Sequence, residues 1–226
     1  MALYLRRETP ECLWAVWRMD ESLEELEQAL KDTPYVAEAV QRFQSLQRRR
    51  EWLTARLLLH TLTGRFPVVS YHPSGRPYLS DESLQLSISH TKEYVAVILS
   101  PHTVGIDIER VSRRVERVAS RFVRDDECLS PYQGDHLYSL LLHWSAKETL
   151  FKCLDAAEVD FRHHLRVHPF QLQEQGTFDA EEYRTPGQLH FCVHYLLHPD
   201  FVLTYTVVES FMQQKAGVIP IKPART

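Results

Sequence analysis

LQLSISHTKEYVAVILSPHTVGIDIE, residues 84–109, sets three extended segments end to end. Leu84, Leu86 and Ile88 alternate with Gln85, Ser87 and Ser89, the pattern of a strand with one buried face. Tyr94 to Leu99 is a nearly continuous apolar strand, and Ser89-His90-Thr91-Lys92-Glu93 is too short to join the two as anything but a tight hairpin. Val104-Gly105-Ile106-Asp107-Ile108-Glu109 alternates again. Helical patterns lie on both sides of this block, and strands and helices do not alternate regularly along the chain. The arrangement predicts an α+β fold rather than a doubly wound parallel sheet.

Toward the N-terminus, Leu3 to Met19 reads as extended. Leu23, Leu26 and Leu30 then take up helical spacing, and Ser22 with Glu25 forms a capping box. Lys31-Asp32-Thr33-Pro34 stops that helix. A longer helix is expected over Tyr35 to Thr63, closed by Gly64, followed by a short strand at Val68 to Tyr71 and a turn at His72–Pro77. Beyond residue 109, the arginine-rich Val111–Arg124 reads as helical, as does His136 to Leu154. Late strands are expected at Phe170–Leu172, Leu189–Leu197 and Phe201–Val208. A seam near Ser100–Thr103 divides the chain into an N-terminal half, 1–102, and a C-terminal half, 103–214, with a loosely held tail, 215–226.

Composition narrows the class. The 226 residues are 44% hydrophobic and 25% charged, the range of a chain with a packed core. No apolar run approaches the roughly 18 residues that cross a bilayer, and the N-terminus lacks the apolar stretch of a secretory signal. The four cysteines are scattered without a paired spacing, as expected for reduced thiols in a cytoplasmic protein. The net charge of −4 does not favour nucleic acid. Arginines at 48–50 and between 113 and 124 are either solvated helix faces or a surface for an acidic partner.

Chemistry concentrates in two places. On the strand at 104–109, Val104, Ile106 and Ile108 share one face, and Gly105, Asp107 and Glu109 the other. Two carboxylates two residues apart start roughly 7 Å from each other, close enough to reach one hard cation such as Mg²⁺. An acidic solvated strand face would look the same. On the helix at 136–154, Leu140, Trp144, Phe151 and Leu154 form an apolar arc with Lys147 inside it. A lysine there needs an anion or must snorkel outward. Glu148 and Lys152 stand one turn apart, as a surface ion pair or as one carboxylate and one ammonium facing a phosphate.

Gly105-Ile106-Asp107-Ile108-Glu109, followed by Trp144-Ser145-Ala146-Lys147-Glu148-Thr149-Leu150-Phe151-Lys152, resembles the paired motifs of the 4′-phosphopantetheinyl transferase superfamily. Asp107 and Lys147 are forty residues apart by number, the spacing of that pair of motifs. Leu86-Ser87-Ile88-Ser89-His90-Thr91 is similar to the family's strand ending in Ser-His, Gly75-Arg76-Pro77 to its upstream turn, and Arg121-Phe122 with Glu127 to the stretch between the motifs. The length resembles the larger, monomeric branch that includes surfactin-synthetase activators.

The resemblance implies two similar α+β halves about a pseudo-twofold, with coenzyme A in the cleft between them. It implies transfer of the 4′-phosphopantetheine arm to a serine of an apo acyl or peptidyl carrier protein, with release of 3′,5′-ADP. By matching position, Asp107, Glu109 and Glu148 would hold Mg²⁺, Glu148 would act as base, and Lys152 would stabilise the transferring phosphate. Ser89, His90, Lys147 and Arg76 would contact coenzyme A, with Arg56 a further candidate. The residues after Lys152, Cys153 to Glu158, lack the glycines usual in the family.

Two other readings compete: a non-catalytic coenzyme A or nucleotide-binding paralogue, and a metal-dependent phosphohydrolase. A zinc site at His190, His194 and His198 is not expected, because residues spaced by four on a strand are spread roughly 13 Å apart. Carrier proteins of this kind are acidic, which makes Arg113–Arg124 the expected docking surface.

Overall fold

The computed structural model describes residues 3–154, 156 and 158–208; the expected tail at 215–226 lies outside them. The N-terminal half starts with an antiparallel pair, β1 (Leu3–Glu8) and β2 (Leu13–Arg18), so the extended stretch read as one segment turns back at residues 9–12. Three helices follow: α1 (Leu23–Ala29), α2 (Tyr35–Arg42) and α3 (Leu46–Thr63). α1 carries the Ser22/Glu25 capping box, and Gly64 closes α3 in the left-handed region at φ 70°. The single long helix expected over Tyr35 to Thr63 is divided, because Phe43 is extended and Ser45 starts a new helix by capping Arg48 N–H. Phe43 then packs against Trp52.

β3 (Val69–Tyr71) and β4 (Pro77–Leu79) form a small hairpin, and β5 (Gln85–Thr91) and β6 (Tyr94–Ser100) form the hairpin expected across Lys92-Glu93. The first large sheet has the order β1-β2-β6-β5. β7 (Thr103–Arg110) opens the second half. A 3₁₀ segment at Arg113–Arg121 replaces the expected helix and buries only Val115. α4 (Leu137–Cys153), the short α5 (Phe161–His164), β8 (Leu165–Val167), β9 (Gln175–Glu182), β10 (His190–Leu197) and β11 (Phe201–Val208) complete it. The second sheet runs β7-β11-β10-β9-β8. No strand forms at Phe170–Leu172; Phe170 instead stacks its ring on Phe178, with centroids 4.2 Å apart.

The layers run helix, sheet, sheet, helix, and β6 shows why. Its residues are all buried. Val95, Val97 and Leu99 enter the core beneath α1–α3, while Tyr94, Ala96 and Ile98 enter a second core shared with the other sheet. Val104, Ile106 and Ile108 of β7 reach that shared core from the opposite side. A strand buried on both faces reads as a continuous apolar run. The second half packs α4 over β7 and β11 around Leu142, Ala146 and Leu150.

β5 and β7 are edge strands of different sheets, and edges must satisfy their outward backbone groups. Ser87 and Ser89 of β5 do so by side chain, accepting the N–H groups of Ile106 (3.2 Å) and Ile108 (3.3 Å). This seam holds Asp107 beside Ser89.

Candidate active site between β7 and α4

The approach of α4 to β7 depends on Gly105. A Cβ there would stand 2.2 Å from the Thr149 carbonyl oxygen and 2.8 Å from Cys153 Sγ. The space over Gly105 is therefore filled by the helix. This contact brings the carboxylates of β7 next to the polar flank of α4.

Asp107 is buried and held on both oxygens. Oδ1 accepts from Ser89 Oγ (2.8 Å) and from Lys152 Nζ (2.7 Å), and Oδ2 from Ser145 Oγ (2.8 Å). Lys152 also donates to the Ile106 carbonyl at 2.8 Å. Glu109 Oε1 accepts the Trp144 indole N–H at 2.7 Å. Burial, then the Asp107 charge, lifts the Glu109 carboxyl to about 7; Glu148 adds to this, while Trp144 and Lys152 oppose it. Glu148 is lifted to about 7 by burial and then by Asp107, against Lys152. Three carboxylates thus crowd one ammonium, which gives the site an affinity for positive charge. The side chains do not form a ready cage: among the described residues, no group of three or more His, Cys, Asp or Glu is arranged to hold a metal ion. The donor set, all carboxylate oxygen, suits a hard cation that keeps several waters.

His90 follows Ser89 on β5. Its Nε2 lies 3.0 Å from Arg48 Nη1, and its Nδ1 lies 3.4 Å from Glu51 Oε2. A guanidinium can only donate, so Nε2 accepts and the ring is neutral with its proton toward Glu51. Burial first, with Arg48 and Lys152 also contributing, holds the imidazole below its usual pKa, although Glu51 and Asp107 pull the other way.

Next to His90, Arg56 is 2% exposed, with its guanidinium 3.7 Å over the Trp52 ring and Nη2 donating to Tyr71 Oη at 2.9 Å. Its Nε is buried without an acceptor, and burial lowers its pKa. No carboxylate pairs with it among the described residues. Arg56 and His90 line a cavity of about 200 Å³. Arg76, bonded weakly to Gln85 at 3.4 Å, faces Lys152 and Phe151 across a larger one of about 660 Å³. A third cavity, about 820 Å³, adjoins Glu109 and Trp144 and is rimmed by Lys92, Arg110 and Arg114.

Lys147, expected among the coenzyme A contacts, has a different partner. Its ammonium is fully buried 2.8 Å from Glu127 and also donates to the Phe122 carbonyl. Burial lowers its pKa, and Glu127 opposes the shift. Glu127 further accepts the Val167 and Arg124 backbone N–H groups at 2.7 and 2.8 Å. The pair fastens α4 to the 3₁₀ segment and β8. Trp144 and Ser145 both touch the carboxylates. By its spacing Trp144 belongs to the apolar arc of the helix, yet its N–H needs an acceptor once the ring packs, and Glu109 supplies it. His190, His194 and His198 find separate surroundings: Glu181, the Tyr205 ring, and Tyr4 with Asp200. No helix among the described residues is long and apolar enough to cross a membrane.

The sequence model of the 4′-phosphopantetheinyl transferase superfamily matches residues 103–206, the segment that contains β7, α4 and the second sheet. The 4′-phosphopantetheinyl transferase gsp of Aneurinibacillus migulanus is 34% identical over 83 residues, a stretch covering 35% of this chain and 35% of that relative. The chain therefore spans about a third of the length of the curated relative it matches. Over residues 103–206, the chain is thus similar to the 4′-phosphopantetheinyl transferase superfamily.

Proposed function

We propose that this protein is a 4′-phosphopantetheinyl transferase that moves the phosphopantetheine arm of coenzyme A to a serine hydroxyl of an apo carrier protein. The observation that carries the reading is the meeting of Asp107, Glu109 and Glu148 with Lys152 between β7 and α4. Phosphoryl transfer asks for positioned charges more than for covalent chemistry.

In this reading the serine oxygen forms a bond to the β-phosphorus of coenzyme A. The bond from that phosphorus to the bridging oxygen breaks, and 3′,5′-ADP leaves with the electron pair. Glu148, with a carboxyl lifted to about 7, takes the serine proton. Lys152, held by Asp107 and the Ile106 carbonyl, faces the charge that develops on the transferring phosphate. Asp107, Glu109 and Glu148 would hold Mg²⁺, which would neutralise pyrophosphate charge and polarise the phosphorus. The cavities beside Arg56, His90 and Arg76 supply cationic and neutral donors for the phosphates and a flat aromatic wall for adenine. Lys147 has no part in phosphate binding here, because Glu127 already compensates it.

The groove between Lys92, Arg110 and Arg114 next to Glu109 is the proposed entry for the acidic carrier protein. Arg113 is less available, being paired with Glu116 and Asp135.

The test is to mix the protein with coenzyme A, Mg²⁺ and a panel of apo carrier proteins and to read intact masses. A gain of one phosphopantetheine arm, abolished by EDTA and by Glu148→Gln, is the expected result. No mass gain on any carrier would overturn the assignment in favour of a coenzyme A-binding protein without transferase activity.

A further inference from the structure

The two sheets leave a second opening, at the seam away from β5 and β7. Across it, β1 and β2 of the first sheet face β9, β10 and β11 of the second around a cavity of about 340 Å³, at the lower end of the range for small-molecule sites. Arg7, Trp14, Gln175, His194 and Tyr205 are among its lining residues. None of them belongs to the β7–α4 site.

Much of the lining is aromatic. His194 stacks on Tyr205 with centroids 4.7 Å apart and planes 9° from parallel, and Trp14 lies 5.5 Å from the same tyrosine ring. Burial, with Arg7 contributing and Glu11 opposing, holds the His194 imidazole below its usual pKa. At neutral pH the ring is therefore an uncharged flat surface.

Two donors in this lining lack acceptors of adequate strength. Trp14 is 4% exposed and its Nε1–H is buried without a hydrogen-bond partner, a state that costs stability unless something accepts the proton. Arg7 has one long bond, 3.4 Å to Gln175 Oε1, and no carboxylate pairs with it among the described residues. Its neighbour Arg6 is neutralised by Glu8 at 2.6 Å. The cavity thus presents one uncompensated positive charge and a stacked pair of flat rings, and Trp14 in its lining keeps a buried, unpartnered indole N–H.

We propose that this seam cavity binds a planar aromatic monocarboxylate of about the size of benzoate, its carboxylate on Arg7 and the Trp14 N–H and its ring against His194 and Tyr205. A carboxylate can accept two charge-assisted hydrogen bonds from one guanidinium. The single free cation and the nearby Glu8 and Glu11 disfavour a dianion. Because Arg7 and Trp14 lie in one sheet and His194 and Tyr205 in the other, a bound acid ties the two sheets together and stabilises the whole chain by mass action.

The test is calorimetric titration of the full chain with benzoate, with acetate and inorganic phosphate as comparison probes, alongside thermal melts. Saturable binding of one benzoate, a rise in Tm, and affinity at least about tenfold weaker for acetate are expected. Arg7→Ala, which removes an exposed side chain and leaves the core intact, should abolish the heat while coenzyme A binding is unchanged. Trp14→Phe should weaken benzoate by about tenfold in protein that still melts cooperatively. Absence of saturable benzoate binding, or unchanged binding in Arg7→Ala, overturns the site. Equal binding of acetate overturns the aromatic half of the proposal, and preference for phosphate overturns the carboxylate.

Discussion

Lys152 Nζ lies 2.7 Å from Asp107 Oδ1, and the same ammonium donates to the Ile106 carbonyl one residue earlier on β7. The lysine is thereby fixed between strand and helix before any phosphate arrives. Lys152→Met should lower kcat by about a hundredfold or more, the range for removing a positioned charge from a phosphate or oxyanion, with a smaller change in the KM for coenzyme A. Lys152→Arg should recover little, since a planar fork cannot meet a carboxylate and a backbone carbonyl in the ammonium's position. Steady-state kinetics on a carrier protein decide it, and near-normal kcat in Lys152→Met would remove the lysine from the reaction.

Glu109 and Glu148 both sit near 7 in the folded chain, against an ordinary glutamate value of about 4.3. The folded protein therefore keeps protons that the unfolded chain has released over this window. Stability contributed by these groups is present below about pH 4.3 and is lost as pH rises toward 7. Melting curves of the metal-free protein minus those of Glu148→Gln should show this decline. Added Mg²⁺ should raise Tm more at pH 8 than at pH 5, because it competes with the protons. A pH-independent difference between the two proteins would contradict the crowding of carboxylates.

What the sequence revealed and what it hid both follow from range. Strand alternation at 84–109 and the capping signals at Ser22 and Gly64 are local, and the structure repeats them. The break between α2 and α3 contains no proline or glycine. Val40 and Leu46 kept the apolar spacing going, although both side chains are exposed. β9 was missed because only Phe178, Ala180 and Glu182 of its inward side are buried, and the strand is otherwise acidic and short of β-formers. For Lys147, the sequence left open whether an anion meets the ammonium or the head snorkels outward, and it named no partner. The partner is Glu127, twenty residues upstream on a loop, and no periodicity links the two.

The Lys147–Glu127 pair lends itself to a double-mutant cycle. Each partner is fully buried, so Lys147→Met or Glu127→Gln alone should cost about 3–5 kcal/mol by stranding the other. The double variant should lose clearly less than the sum, read from chemical denaturation. Coenzyme A affinity of the folded Lys147→Met protein should stay close to wild type. A large loss of affinity there would return Lys147 to the phosphate contacts.

Charge reversal separates the carrier groove from the coenzyme A cavities. Lys92→Glu with Arg114→Glu should raise the KM for an acidic carrier by about tenfold, more at low salt than at high, and leave the KM for coenzyme A unchanged. Arg117→Glu and Arg121→Glu lie outside the groove lining and should have a smaller effect. Equal losses for both substrates would mean that the groove does not select the carrier.

Gly105 is where fold and site meet most directly. A methyl group there would fall 2.2 Å from the Thr149 carbonyl, and that atom belongs to helix backbone, which cannot rotate away as a side chain can. Gly105→Ala must push α4 off β7. Overpacking of this kind costs about 3 kcal/mol, or roughly 2–4 °C of Tm for each kcal/mol in a chain of this size. The same displacement would move Glu148 and Lys152 away from Asp107, so activity should fall further than the loss of folded protein explains. Measuring kcat below the melting transition separates the two effects. Full kcat with a lowered Tm would mean that the site tolerates a looser helix, and that the close approach at Gly105 serves stability alone.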